Sequence, residues 1–198
     1  MVEPTFRVVR EIREADMETI FPQFPRASQR KTFYAQVGRT IATWQRVEAN
    51  LYEVYRALTM ARRPGAEACA FYALGTFRAQ LNITDAAARF VFYGEKNKAL
   101  REEWANLRNT AQTKADRRNE IAHGVVWLQQ EESRRSRKIY IGPIATDPRP
   151  HLKEKKQPNH DPEPITLVRV KEYEKDFGRL ATRLAKFAQR IVQLPAPP

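Results

Sequence analysis

An all-α bundle of four to five helices, with a small β-hairpin inserted after one of them, is the fold this sequence predicts. Three observations lead there. Apolar residues recur at steps of three and four along 28–62, 97–123 and 170–194, the spacing of helices that bury one face. Between 124 and 142 this period gives way to two short β-prone runs around a polar loop, the pattern of a hairpin. The chain has 198 residues with a hydrophobic share of 42%, enough for one core and one domain. That domain is expected over 28–194, after an N-terminal arm (1–27) and before a short tail (195–198).

In the arm, Pro4, Pro22 and Pro25 interrupt any long helix. Thr5–Val9 reads as a short extended piece and Glu14–Ile20 as a short helix. The first long helix starts near Ser28, an N-cap residue type, and runs to Arg62, where Pro64-Gly65 stops it. Its stripe is Val37, Ile41, Trp44, Leu51, Tyr55 and Leu58, with Glu48 set among them. Residues 66–78 form the next helix. Asn82-Ile83-Thr84-Asp85 interrupts the pattern, so Thr84 is expected to cap a short helix over 85–93 that Gly94 ends. Asn97 then caps a helix running to His123. Leu100, Trp104, Leu107, Ala111, Ala115 and Ala122 form its apolar stripe, and Arg118 falls inside it. Gly124 is expected to end this helix in the left-handed conformation that glycine adopts freely.

Val125–Leu128 and Lys138–Ile141 are the two hairpin runs. The five prolines of 146–164 read as a long, mobile connection. The last helix, 170–194, presents Tyr173, Phe177, Leu180, Leu184, Phe187 and Ile191 to the core.

The charge restricts the class of partner. Against 23 acidic residues stand 35 Lys and Arg, a net charge of +12. Such an excess favours polyanions, nucleic acid foremost, over the bland alternatives of solubility or affinity for anionic surfaces. The single cysteine, Cys69, excludes an internal disulfide framework and fits a reducing compartment; its apolar setting reads as a small core residue. No apolar run reaches membrane-spanning length and the N-terminus lacks an apolar signal core, so a cytoplasmic location is expected. His151 and His160 have no ligand partners at metal spacing, and no Walker loop or dinucleotide fingerprint is present. No cofactor or metal is expected.

The candidate chemistry gathers in Arg117-Arg118-Asn119-Glu120-Ile121-Ala122-His123-Gly124. Asn119 and His123 stand one helical turn apart. A permanent cation, an amide and a group that titrates near neutrality therefore share a helix end. Arg118 and Glu48 are each charged residues in an apolar stripe, and each needs a partner. The economical solution is that they meet, either as a supporting ion pair or at the edge of a functional cleft. Lys114 and Arg117 lie beside the motif. Arg134, Arg135, Arg137 and Lys138 make the hairpin tip the densest basic cluster, suited to a phosphate backbone or simply solvated.

Arg118, Asn119 and His123 match the Arg-Asn-x-x-x-His signature of the HEPN superfamily, and the long helices around them match its bundle, so the chain resembles that family over about Arg30 to Leu194. The resemblance implies a metal-independent endoribonuclease working as a homodimer. His123 would then move protons, Arg118 clamp the scissile phosphate, Asn119 orient His123 or hold a phosphate oxygen, and Glu48 position Arg118. It also implies the setting of a toxin with an antitoxin or regulator protein as partner, or of a phage-defence effector. Some members of such a fold only bind or scaffold. The alternative is therefore a non-catalytic module for nucleotide, RNA or protein, with His123 simply favoured by the helix dipole.

Overall fold

A computed structural model describes residues 27–60, 65–130, 137–142 and 164–194. The first helix, α1 (Ala27–Thr59), buries Phe33, Gln36, Thr40, Trp44, Val47, Leu51, Val54 and Leu58. The predicted stripe is therefore displaced: Val37, Ile41 and Tyr55 are only half-buried at its border. The seam includes polar positions because the partner helix satisfies them. Thr40 Oγ1 donates to Val170 O at 3.3 Å, and Gln36 Nε2 donates to Glu174.

Two short helices follow, α2 (Ala66–Tyr72) and α3 (Phe77–Val91). The break falls at 73–76, earlier than the sequence pattern suggests. Gly75 adopts φ 65°, and Thr76 caps α3 by accepting from Ala79 N. Asn82–Asp85 does not interrupt α3. Thr84 returns its hydroxyl to Gln80 O at 2.8 Å inside the helix, so it is not an N-cap. Gly94, at φ 95°, opens a single 3-10 turn, Glu95–Asn97. Asn97 precedes α4 (Lys98–His123) as expected, but its side chain reaches back to Val91 O. Cys69 is exposed, against expectation, because the short α2 turns only Glu67 and Phe71 inward.

From α4 the chain passes directly into β1 (Val125–Gln130), which pairs antiparallel with β2 (Arg137–Gly142). The predicted hairpin is present and gains a third strand, β3 (Ile165–Thr166), on the far side of β2. Thr166 then caps α5 (Leu167–Val192) by accepting from Arg169 N, so this helix begins a turn earlier than expected. All six of its predicted core residues are buried.

α1 and α5 pack along most of their length, and α3 and α4 close the bundle. Trp44 marks its centre, edge-on to Phe77 at 4.8 Å and to Phe177 at 5.0 Å. The architecture is an all-α bundle with a small antiparallel sheet at one end. Among the described residues no helix is long and apolar enough to cross a membrane. The arm apart from Ala27, the tail, Arg134, Arg135, His151 and His160 lie outside the described residues, as does the 146–164 connection apart from Pro164.

Gly124 is required for a reason other than the expected one. Its backbone is extended (φ −75°, ψ 153°), not left-handed. A Cβ there would sit 2.1 Å from Ile141 Cγ2, 2.6 Å from Glu120 O and 3.2 Å from Gly142 O. Only a bare α-carbon lets the end of α4 lie against β2. Overpacking here has nowhere to relax, so Gly124→Ala is expected to cost about 1–3 kcal/mol. Thermal unfolding tests this, and a melting temperature equal to that of the parent chain would refute the close-approach argument.

Candidate active site

Two helices build the site: α1 supplies Trp44 and Glu48, and α4 supplies Arg118, Asn119 and His123. Trp44 and Glu48 lie one turn apart on α1, so the indole can reach the carboxylate. Trp44 Nε1 donates to Glu48 Oε1 at 2.7 Å. The same oxygen accepts from Arg118 Nη2 at 3.0 Å. The expected meeting of Glu48 and Arg118 is thus present, with their side chains 28% and 29% exposed. That level places the pair at the rim of the bundle rather than inside it. The guanidinium also stands 6.0 Å from the Trp44 ring centroid, over its face. Arg118 Nη1 donates to Asn119 Oδ1 at 3.0 Å.

Arg118 is therefore held from three sides, by a carboxylate, an indole face and an amide. Its orientation descends from the core through Trp44, which sequence reading treated only as a packing residue. The Trp-x-x-x-Glu spacing on one helix was the available signal. His123, on the last turn of α4, is exposed. Asn119 is exposed one turn before it. Ala122, expected on the buried stripe, is exposed, and Ile121 is buried in its place. The sheet packs against this last turn and shifts the buried side by one residue.

The other candidate cations are placed as follows. Arg117 Nη1 donates to both Glu120 oxygens, at 3.0 and 2.9 Å. That hydrogen bond holds its guanidinium above the ordinary range, with the Arg169 charge on α5 opposing in small part. Lys114 is tied to Asp176 on α5, and Arg179 binds the other oxygen of that carboxylate. Arg137 and Lys138 open β2. Among the described residues no group of three or more His, Cys, Asp and Glu could hold a metal ion.

Asp176 clamps α4 to α5 and has a testable signature. Burial pushes its carboxyl up, but Lys114 and Arg179 outweigh this and hold it below the ordinary 3.8. The unfolded chain then binds the proton more readily, so folding stability falls as pH falls. The clamp is complete above 3.8 and is lost as pH drops below that value through the lowered one. Asp176→Asn is expected to lower stability at neutral pH by about 1 kcal/mol, since the group is partly screened by solvent. Urea midpoints of the two chains should converge in acid. An equal gap at neutral and acid pH would show that the clamp is not ionic.

Comparisons with protein-family models, with curated proteins and with solved structures found no match for this chain.

Proposed function

We propose that this chain is a metal-independent endoribonuclease of HEPN type, acting as a homodimer. The observation that carries the reading is the end of α4. An exposed His123 there shares a helix terminus with Arg118, whose guanidinium is oriented by Glu48, Trp44 and Asn119. A flexible surface arginine would have to be ordered each time RNA bound. One already fixed loses less entropy on meeting a phosphate.

Cleavage of RNA without metal needs a base for the 2′-hydroxyl proton, an acid for the leaving 5′-oxygen, and a cation for the charge on the pentacovalent phosphorus. Imidazole suits the proton transfers and guanidinium suits the phosphate. One chain offers one His123. A two-fold dimer bringing two α4 ends to one cleft would supply both proton carriers and two Arg118. The products would be a 2′,3′-cyclic phosphate and a 5′-hydroxyl end. Arg117, Lys114 and the hairpin tip would contribute affinity for the backbone without sequence preference. A toxin controlled by an antitoxin, or a phage-defence effector, is the setting the motif suggests.

A second reading rests on the same ion pair. Because Glu48 already occupies Arg118, the pair also suits a non-catalytic helical module that binds nucleotide, RNA or a partner protein. Incubating the purified chain with RNA in excess chelator separates the two. Cleavage that depends on His123 and Arg118 supports the nuclease, and RNA left intact supports the module.

A further inference from the structure

We propose that a base-selective subsite lies beside Arg118, with Tyr72 as its stacking surface and Glu67 as the acceptor for the N–H groups of guanine. It rests on the ribonuclease reading for its ligand, but on other residues for its evidence.

Along α1, Trp44, Glu48 and Tyr52 follow at one-turn spacing, so Tyr52 continues the edge that holds Arg118. The Tyr72 ring lies 5.4 Å from Tyr52 and stands edge-on to Phe71 at 5.3 Å. Two rings thus back Tyr72, while the residue is 51% exposed. A backed, half-exposed aromatic ring is the platform on which single-stranded bases stack. Burial first, then the Glu48 and Glu53 carboxylates, push its phenol up, which puts Tyr72 within electrostatic reach of the residue that orients Arg118.

Glu67 supplies the second observation. It is 9% exposed; Oε1 receives a long 3.4 Å bond from the Tyr52 hydroxyl, and Oε2 is buried without a hydrogen-bond partner. A buried carboxylate oxygen with no donor is costly, and a ligand N–H would remove that cost. The neighbouring carboxylates are engaged, Glu48 with Arg118 and Glu53 with Arg56. Among the described residues Glu67 is the one of the three with a buried oxygen that lacks a hydrogen-bond partner. Guanine presents adjacent N1–H and N2–H donors to such an acceptor. Uracil presents one N–H between two carbonyls, which a carboxylate repels. Oε2 is covered in the free chain, so the subsite requires a local opening between α1 and α2 when a base binds.

The test is fluorescence anisotropy with a labelled oligouridine and the same oligomer carrying one central guanosine. The full-length chain is expected to bind the guanosine oligomer about tenfold more tightly, the scale of one well-paired base. Tyr72→Ala should cost about tenfold on that oligomer, and Tyr72→Phe should retain its affinity. Glu67→Gln should erase the preference by weakening binding of the guanosine oligomer toward the oligouridine level, because an amide offers guanine one acceptor and one opposing donor. No preference in the parent chain, or a preference that survives Glu67→Gln, overturns the subsite. Cleavage without guanosine preference would remove this proposal and leave the nuclease. Preference without cleavage would do the reverse. No affinity for either oligomer would remove both.

Discussion

His123→Ala is expected to cleave RNA about a thousandfold more slowly than the parent chain in excess chelator, in the range found when a positioned acid–base group is lost. The ring is exposed at the end of α4, so its loss should leave the melting temperature unchanged. Activity and folding then separate cleanly. Arg118→Ala should lose activity on the same scale and some stability as well, because Glu48 and the Trp44 indole lose the cation they hold in place. Arg118→Lys keeps the charge without the planar fork. Lysine cannot serve Glu48, Asn119 and a phosphate at once, so little activity should return. Glu48→Gln isolates positioning. The amide oxygen can still accept from Trp44 and Arg118, but without the ionic component, so a partial loss is expected, felt more in kcat than in KM. Denaturing gels and end-group analysis of the products are the readout. Equal cleavage by the parent chain, His123→Ala and Arg118→Ala would assign the activity to a contaminant and end the catalytic reading.

Much of this site was legible because two residues violated the pattern around them. Glu48 and Arg118 are 70 positions apart, and each is a charge in an apolar stripe. That shared anomaly was enough to pair them. The boundaries of α2 and α3 were not legible for the converse reason. The polar string Asn82–Asp85 reads as a breaker, yet its two buried polar members, Thr84 and Asp85, have partners. Thr84 bonds within its own turn, and Asp85 reaches across to Trp104. The true break at Gly75-Thr76 is only a glycine and a capping threonine, read through as helix. β3 has two residues and no period to detect; its strand character comes from pairing with β2. Gly124 shows a residue rightly singled out on the wrong ground. Sequence supplies the identity of a glycine, but only the fold shows whether a positive φ or an approaching neighbour demands it.

Asp85→Ala is expected to be the most destabilising single change among those considered, by about 3–5 kcal/mol, as when one partner of a buried charge cluster is removed. The carboxylate is 8% exposed, midway along α3. Its Oδ1 accepts from Trp104 Nε1 at 2.9 Å. Its Oδ2 accepts from Arg89 Nε at 3.0 Å and lies 3.3 Å from Arg108 Nε, an ionic contact without hydrogen-bond geometry. Arg89 is largely exposed and can turn to water, so its share is small. The cost falls on Trp104 and Arg108. The indole is 3% exposed and would keep a buried N–H with no acceptor, and Arg108 Nε has no other partner. For a chain of this size the loss corresponds to a fall of about 10 °C in melting temperature. Asp85→Asn should fall between, since its amide oxygen can still serve Trp104 while its NH₂ faces two guanidiniums. Trp104→Phe removes the donor, so Asp85→Ala should cost less in that background. The cluster joins α3 to the opening turns of α4, far along the helix from His123, so activity per folded molecule should be preserved. A melting temperature within about 2 °C of the parent chain would mean the pocket readily admits water and that this carboxylate does not hold α3 to α4.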